Sequence, residues 1–79
     1  MTLFDEVRDI IVKELDVPPE KVNPDAKFIE HLGADSLAMV NLIMAFEDKF
    51  KISIPNEDAQ KLDTVGKAIA YLEEKLNKK

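Results

Sequence analysis

The residues able to do chemistry lie close together: "HLGADSL" sets His31, Asp35 and Ser36 just ahead of the apolar run "LIMAFEDKF". Asp, His and Ser are the residue types of a nucleophilic hydrolase. Here the histidine stands upstream across a glycine, and neither a group to orient it nor an oxyanion hole is visible. His31 reads as a solvated loop residue. Two roles remain open for Ser36. Its hydroxyl can cap the helix that follows by accepting a bond from an unpaired backbone N–H. Alternatively, a phosphate esterified to it would sit where free N–H groups and the helix macrodipole favour an anion. Asp35 would repel such a phosphate unless a cation bridges the two, which suits a transfer carried out by a partner enzyme with Mg²⁺. No His or Cys ligand spacing and no calcium-loop pattern points to a metal site. The chain has no cysteine, so thiol chemistry would need a borrowed thiol.

The elements that position these residues follow from apolar periodicity. "TLFDEVRDIIVKEL" carries Leu3, Val7, Ile10, Ile11 and Leu15 as a helical stripe, and Thr2 with Asp5 forms a capping-box pattern that starts the helix at residue 3. Between Asp16 and Ala34, three prolines and a glycine exclude one continuous helix. A loop of about 19 residues is long enough to be functional, and Phe28, Ile29 and Leu32 are expected to pin it to the core. A second helix spans about Ser36 to Phe50. "KISIP" alternates like a strand but has no partner strand, so it reads as an extended connector. Asn56 is expected to cap a short helix through Leu62, and Thr64 the last helix, whose Val65, Ala68, Ile69, Leu72 and Leu76 recur at helical spacing. The expected fold is all-α, three longer helices and one short, in a single domain over 1–79.

At about 100° per residue from Ser36, Leu42, Phe46, Met39, Phe50 and Ile43 fall at roughly 240° to 340°, a compact core-facing arc. Leu37, Val40 and Met44 fall on the other flank, beside Ser36 and bordered by Glu47 and Asp48. Either a loop covers this second strip or it stays exposed as a contact patch. Sixteen acids against eleven bases give a net charge of −5, which argues against nucleic-acid binding and for basic protein partners if charge steers anything; plain solubility is the other reading. No segment approaches the roughly 20 apolar residues that span a bilayer, and "MTLFDEVRDI" lacks a basic leader, so a cytoplasmic protein is expected.

At these residues the chain resembles the bacterial acyl carrier proteins of type II fatty-acid synthesis. The likeness runs end to end, through "LGADSL", "LIMAFEDKF", "ISIPNEDAQKL" and "DTVGKAIAYLEEKL" in order. It implies a four-helix bundle that is not an enzyme, with a 4′-phosphopantetheine on Ser36 whose terminal thiol holds acyl chains as thioesters. That supplies the missing thiol. It implies loading by a phosphopantetheinyl transferase, with Asp35 serving that step. It also implies docking of fatty-acid synthesis enzymes and acyltransferases through Asp35, Leu37, Val40, Met44, Glu47 and Asp48. Facing positions and the resemblance together suggest an acyl pocket lined by Phe28, Met39, Phe46, Ile54, Ala59, Leu62, Ala68 and Tyr71; the same residues also read simply as core. Three methionines and few aromatics suggest a loosely packed core of modest stability.

Departures from the family pattern carry their own expectations. Ala38 and Asn41 stand where such carriers usually have acids, and Lys49 and Lys51 add positive charge, so docking should depend less steeply on salt. Met39 and Phe46 replace smaller residues, which should shorten or reshape the pocket. A specialised acyl or polyketide carrier, or an unmodified helical interaction module with Ser36 only as a cap, remain alternatives. A monomer is expected.

Overall fold

A computed structural model describes residues 2–77. It contains α1 (Leu3–Leu15), a 3₁₀ turn (Pro19–Lys21), α2 (Ser36–Phe50), α3 (Asn56–Ala59) and α4 (Val65–Asn77). Three helices are long and one is short, with the long loop between α1 and α2, as the sequence pattern requires. Among the described residues there is no β-strand, only an isolated antiparallel bridge between Lys27 and Thr64.

Each helix boundary has a local cause. At the start of α1 the Asp5 N–H donates to Thr2 Oγ1 at 3.2 Å and the Thr2 N–H donates to Asp5 Oδ2 at 3.3 Å, so both free donors are satisfied reciprocally. The helix stops at Asp16, whose φ of 56° is left-handed, a conformation aspartate tolerates better than most residues. Lys51 ends α2 in the same conformation, φ 57°. Thr64 caps α4, its Oγ1 accepting the Lys67 N–H at 3.2 Å.

The start of α3 differs from expectation. Pro55 occupies the cap position without a side-chain bond, and Asn56 lies inside the first turn. The proline has no N–H to lose, and its carbonyl accepts from Asp58 at 3.0 Å and Ala59 at 2.9 Å. The helix also ends early. Beyond Ala59 the chain tightens into three-residue turns, Lys61 N–H to Asp58 C=O and Leu62 N–H to Ala59 C=O. The tightening turns Leu62 into the core.

Val7 and Ile11 of α1, Leu42, Ile43 and Phe46 of α2, and Val65, Ala68 and Leu72 of α4 form the centre of the core. Phe28 and Leu32 of the long loop join it as expected, with Val22, Ala26 and Ala34. Ile29 does not: it is 66% exposed. The His31 and Leu32 N–H groups both fold back onto the Lys27 carbonyl, a tight turn that points Phe28 and Leu32 inward and leaves Ile29 outside.

The long loop is fastened to the start of α4 by three backbone bonds. Phe28 donates to Asp63 at 3.1 Å, Val65 to Ala26 at 3.0 Å and Gly66 to Pro24 at 2.9 Å. A Cβ at Gly66 would lie 2.9 Å from the Pro24 carbonyl oxygen, a backbone atom with little room to retreat. Gly66→Ala is therefore expected to lower stability by about 1–3 kcal/mol, despite alanine's better helix propensity, by overpacking this seam. Urea denaturation checks it; an unchanged or raised midpoint contradicts the account.

Candidate functional site

Gly33, at φ +72°, turns the chain in a way that disfavours any residue with a Cβ. Ala34 then plugs into the core, its N–H donating to the Phe28 carbonyl at 2.9 Å. Asp35 and Ser36 emerge from that plug into solvent. Asp35 takes extended backbone geometry as N-cap of α2, and its Oδ1 accepts the Ala38 N–H at 2.8 Å. The capping role open to Ser36 thus belongs to its neighbour. Ser36 is the first residue of the helix, exposed, and its hydroxyl takes part in no hydrogen bond among the described residues.

His31 Nδ1 accepts the Lys27 N–H at 2.8 Å and so holds the loop turn. With His31 and Asp35 each bonded to backbone and Ser36 bonded to neither, no hydrolytic triad is assembled. No group of three or more His, Cys, Asp or Glu among the described residues is arranged to hold a metal ion. No described helix is long and apolar enough to cross a membrane.

Ser36 stands on the rim of an apolar cleft of about 600 Å³ between the Lys27–Glu30 loop, α2 and the segment from Ile54 to Asp63. Of the residues expected to line a pocket, Phe28, Met39, Ile54, Ala59 and Leu62 do so. Phe46 and Ala68 lie in the closed core with no exposed surface, and Tyr71 packs against the core with its hydroxyl donating to Asp58 Oδ2 at 2.7 Å; none of these three lines the cleft. Ile43 takes the place expected of Phe46, and Ile29, Val40 and Met44 reach the rim. The helical wheel already held the signal for Ile43, which closes the core arc on the side nearest Ser36.

The second strip of α2 is uncovered. Leu37, Val40 and Met44 are 69%, 54% and 58% exposed, and with Ile29 they are the large exposed apolar residues of the described chain. Asp35 and Asp48 are exposed beside them. Glu47 is half-buried, and its Oε2 accepts the Ile54 N–H at 2.7 Å. Sequence reasoning placed Glu47 on the docking flank and did not anticipate this bond, which joins positions seven apart across the turn at Lys51.

Burial, the hydrogen bond to Asp58, and the charges of Asp58, Glu74 and Glu47 push the Tyr71 hydroxyl up to about 12. Because the folded value lies above the unfolded value near 10, the native state favours the protonated phenol. That contribution is fully present below about pH 10 and is lost as pH rises through about 12. Between pH 9 and 11.5 the native chain should therefore lose more thermal stability than Tyr71→Phe; equal losses contradict the assignment.

The geometry fits a covalent prosthetic group: an exposed, uncommitted hydroxyl at a helix start, with an apolar cleft opening beside it. A family model described as the phosphopantetheine attachment site matches residues 5–72. The chain is similar to the acyl carrier protein of Wolinella succinogenes, 49% identical over 73 residues that make up 92% of this chain and 96% of that protein. It is also similar to the acyl carrier protein of Sulfurovum sp. strain NBC37-1, 51% identical over 73 residues, 92% of this chain and 97% of that one. With the helical bundle in place and likeness covering nearly its whole length, the chain belongs to the acyl carrier proteins, phosphopantetheine-bearing carriers of acyl groups that are not themselves enzymes.

Proposed function

We propose that Ser36 is the attachment residue and that the chain carries the intermediates of type II fatty-acid synthesis, as one carrier domain working as a cytoplasmic monomer. One observation carries the assignment. Asp35 performs the cap, so the Ser36 hydroxyl stands exposed and unbonded at the mouth of an apolar cleft. 4′-Phosphopantetheine, when bound, supplies the thiol on which acyl groups ride as thioesters. The phosphodiester belongs at the N-terminus of a 15-residue helix, where the macrodipole favours negative charge. Asp35 has already committed one carboxylate oxygen to the helix and serves the loading step in company with a divalent cation brought by the transferase. The acyl chain enters the cleft between Phe28, Met39, Ile43, Ile54, Ala59 and Leu62. Leu37, Val40 and Met44, flanked by Asp35, Glu47 and Asp48, offer an apolar strip rimmed by acids to the phosphopantetheinyl transferase, the synthesis enzymes and acyltransferases. Their complementary surfaces are apolar with basic rims.

Incubating the unmodified chain with a phosphopantetheinyl transferase, Mg²⁺ and coenzyme A tests this. The expected result is a mass gain of one phosphopantetheine, localised to Ser36 by fragmentation. A folded chain that stays unmodified, or one modified elsewhere, refutes the assignment.

A further inference from the structure

The two walls of the cleft are held very differently. The loop wall is fastened to the start of α4 by the Val65 and Gly66 N–H groups and to Asp63, where the opposite segment ends, by the Phe28 N–H. The opposite wall, from Ile54 to Leu62, contains α3, and α3 buries none of its residues. Apart from the side chains of Ile54, Ala59 and Leu62, which pack against the core, this wall is tied to the long helices by two side-chain hydrogen bonds. Tyr71 of α4 donates to Asp58, and Glu47 of α2 accepts from the Ile54 N–H, both at 2.7 Å. Each has an ionised acceptor, which makes it stronger than a neutral pair.

Glu47 differs from Asp58 in where it can be reached. It lines the cleft on one side of α2, and on the other it lines a shallow groove with Met44 and Asp48, two exposed residues of the docking strip. Its carboxylate makes no ion pair among the described residues, whereas Lys49, the nearest basic residue on α2, is directed to Glu6 at 4.0 Å. The neighbourhood is acidic, since Glu47, Asp58 and Glu74 all act on the Tyr71 hydroxyl. A half-buried anion held through one oxygen by a single N–H, with no cation of its own and a face toward solvent, is a carboxylate for which an arriving cation competes with that N–H.

We propose that Glu47 is a latch between docking and the cleft: a cationic side chain of a partner seated on α2 draws the carboxylate off the Ile54 N–H and frees the 54–62 wall to move outward. This rests on the docking role proposed for α2 and adds to it the means by which docking opens the cleft. Linkage makes the effect reciprocal. A cargo that already holds Ile54 outward leaves Glu47 free and strengthens docking by the same factor.

Amide exchange of the full-length, isotopically labelled chain reads the latch directly. In the free protein the Ile54 amide is protected; Glu47→Ala should speed its exchange roughly tenfold or more, with the Phe46 amide of the same helix as the control for global unfolding. Glu47→Gln keeps an acceptor oxygen and should retain most of the protection. A catalytically inactive phosphopantetheinyl transferase is then added without coenzyme A, docking being followed by resonance shifts at Leu37 and Val40. The expected result is several-fold faster exchange at Ile54 at saturation. Shifts on α2 with unchanged or slower Ile54 exchange overturn the latch and leave the docking role standing, and so does an Ile54 amide indifferent to Glu47→Ala. No shift on α2 overturns both.

Discussion

Ser36→Ala should abolish phosphopantetheine transfer completely while moving folding stability by no more than about 0.5 kcal/mol, the usual range for a surface substitution that touches no special feature. The two halves of this result have separate causes. Transfer needs an oxygen nucleophile at the tip of α2, and alanine has none. Stability needs the cap, and the cap is Asp35, whose Oδ1 holds the Ala38 N–H at 2.8 Å. Alanine is also the better helix former, so its intrinsic propensity opposes any small loss. Asp35→Ala is the complementary variant: the orphaned N–H groups should cost about 1 kcal/mol, and transfer should slow because the acid beside the nucleophile is gone. Intact mass after incubation with transferase and coenzyme A gives one axis, and thermal denaturation the other. A Ser36→Ala chain that loses a full kilocalorie per mole and still gains mass would mean that the serine caps the helix and the modification lies elsewhere.

That the cap of α2 is Asp35 and not Ser36 shows what the sequence makes legible and what it does not. Both are good capping residues, and choosing between them requires knowing where the chain turns into the helix, which Gly33 and the buried Ala34 decide in three dimensions. The long helices were readable because their apolar residues recur with the period that one buried face demands, and α1, α2 and α4 keep that period throughout. The exposed flank of α2 was visible as excess apolar girth, but not which half a loop would cover. The loop could not be resolved by periodicity because it has none. Phe28 and Ile29 are adjacent, similarly apolar and opposite in fate, separated only by the turn closed on the Lys27 carbonyl. Glu47 is the clearest limit. Its type and place on the wheel described a surface acid, and the bond to Ile54 depends on Lys51 adopting left-handed geometry so that the connector doubles back along α2. Identity of the family came from motif order along the chain, a signal independent of these local ambiguities.

Phe46→Ala should destabilise the protein by about 3–5 kcal/mol, the range for truncating a fully buried aromatic. Phe46 has no exposed surface and sits within the buried cluster drawn from α1, α2, α4 and the long loop, so the vacated volume opens into closed core. Native stability of roughly 0.05–0.15 kcal/mol per residue leaves a chain of this length little margin, and the variant should be partly unfolded near physiological temperature. The larger consequence concerns cargo. A side chain that lined the cleft would set how much acyl chain the protein shelters, and removing it would shift the chain length at which stabilisation by a loaded acyl group levels off. Phe46 does not line the cleft, whereas Met39, about two turns nearer the N-terminus of α2, does. Across a ladder of attached acyl lengths, Phe46→Ala should lower every urea midpoint by a similar amount and leave the plateau at the same length. Met39→Ala should cost less and move the plateau to longer chains, because it enlarges the cleft itself. A plateau displaced by Phe46→Ala would place the ring in the acyl path; one unmoved by Met39→Ala would take the cleft out of it.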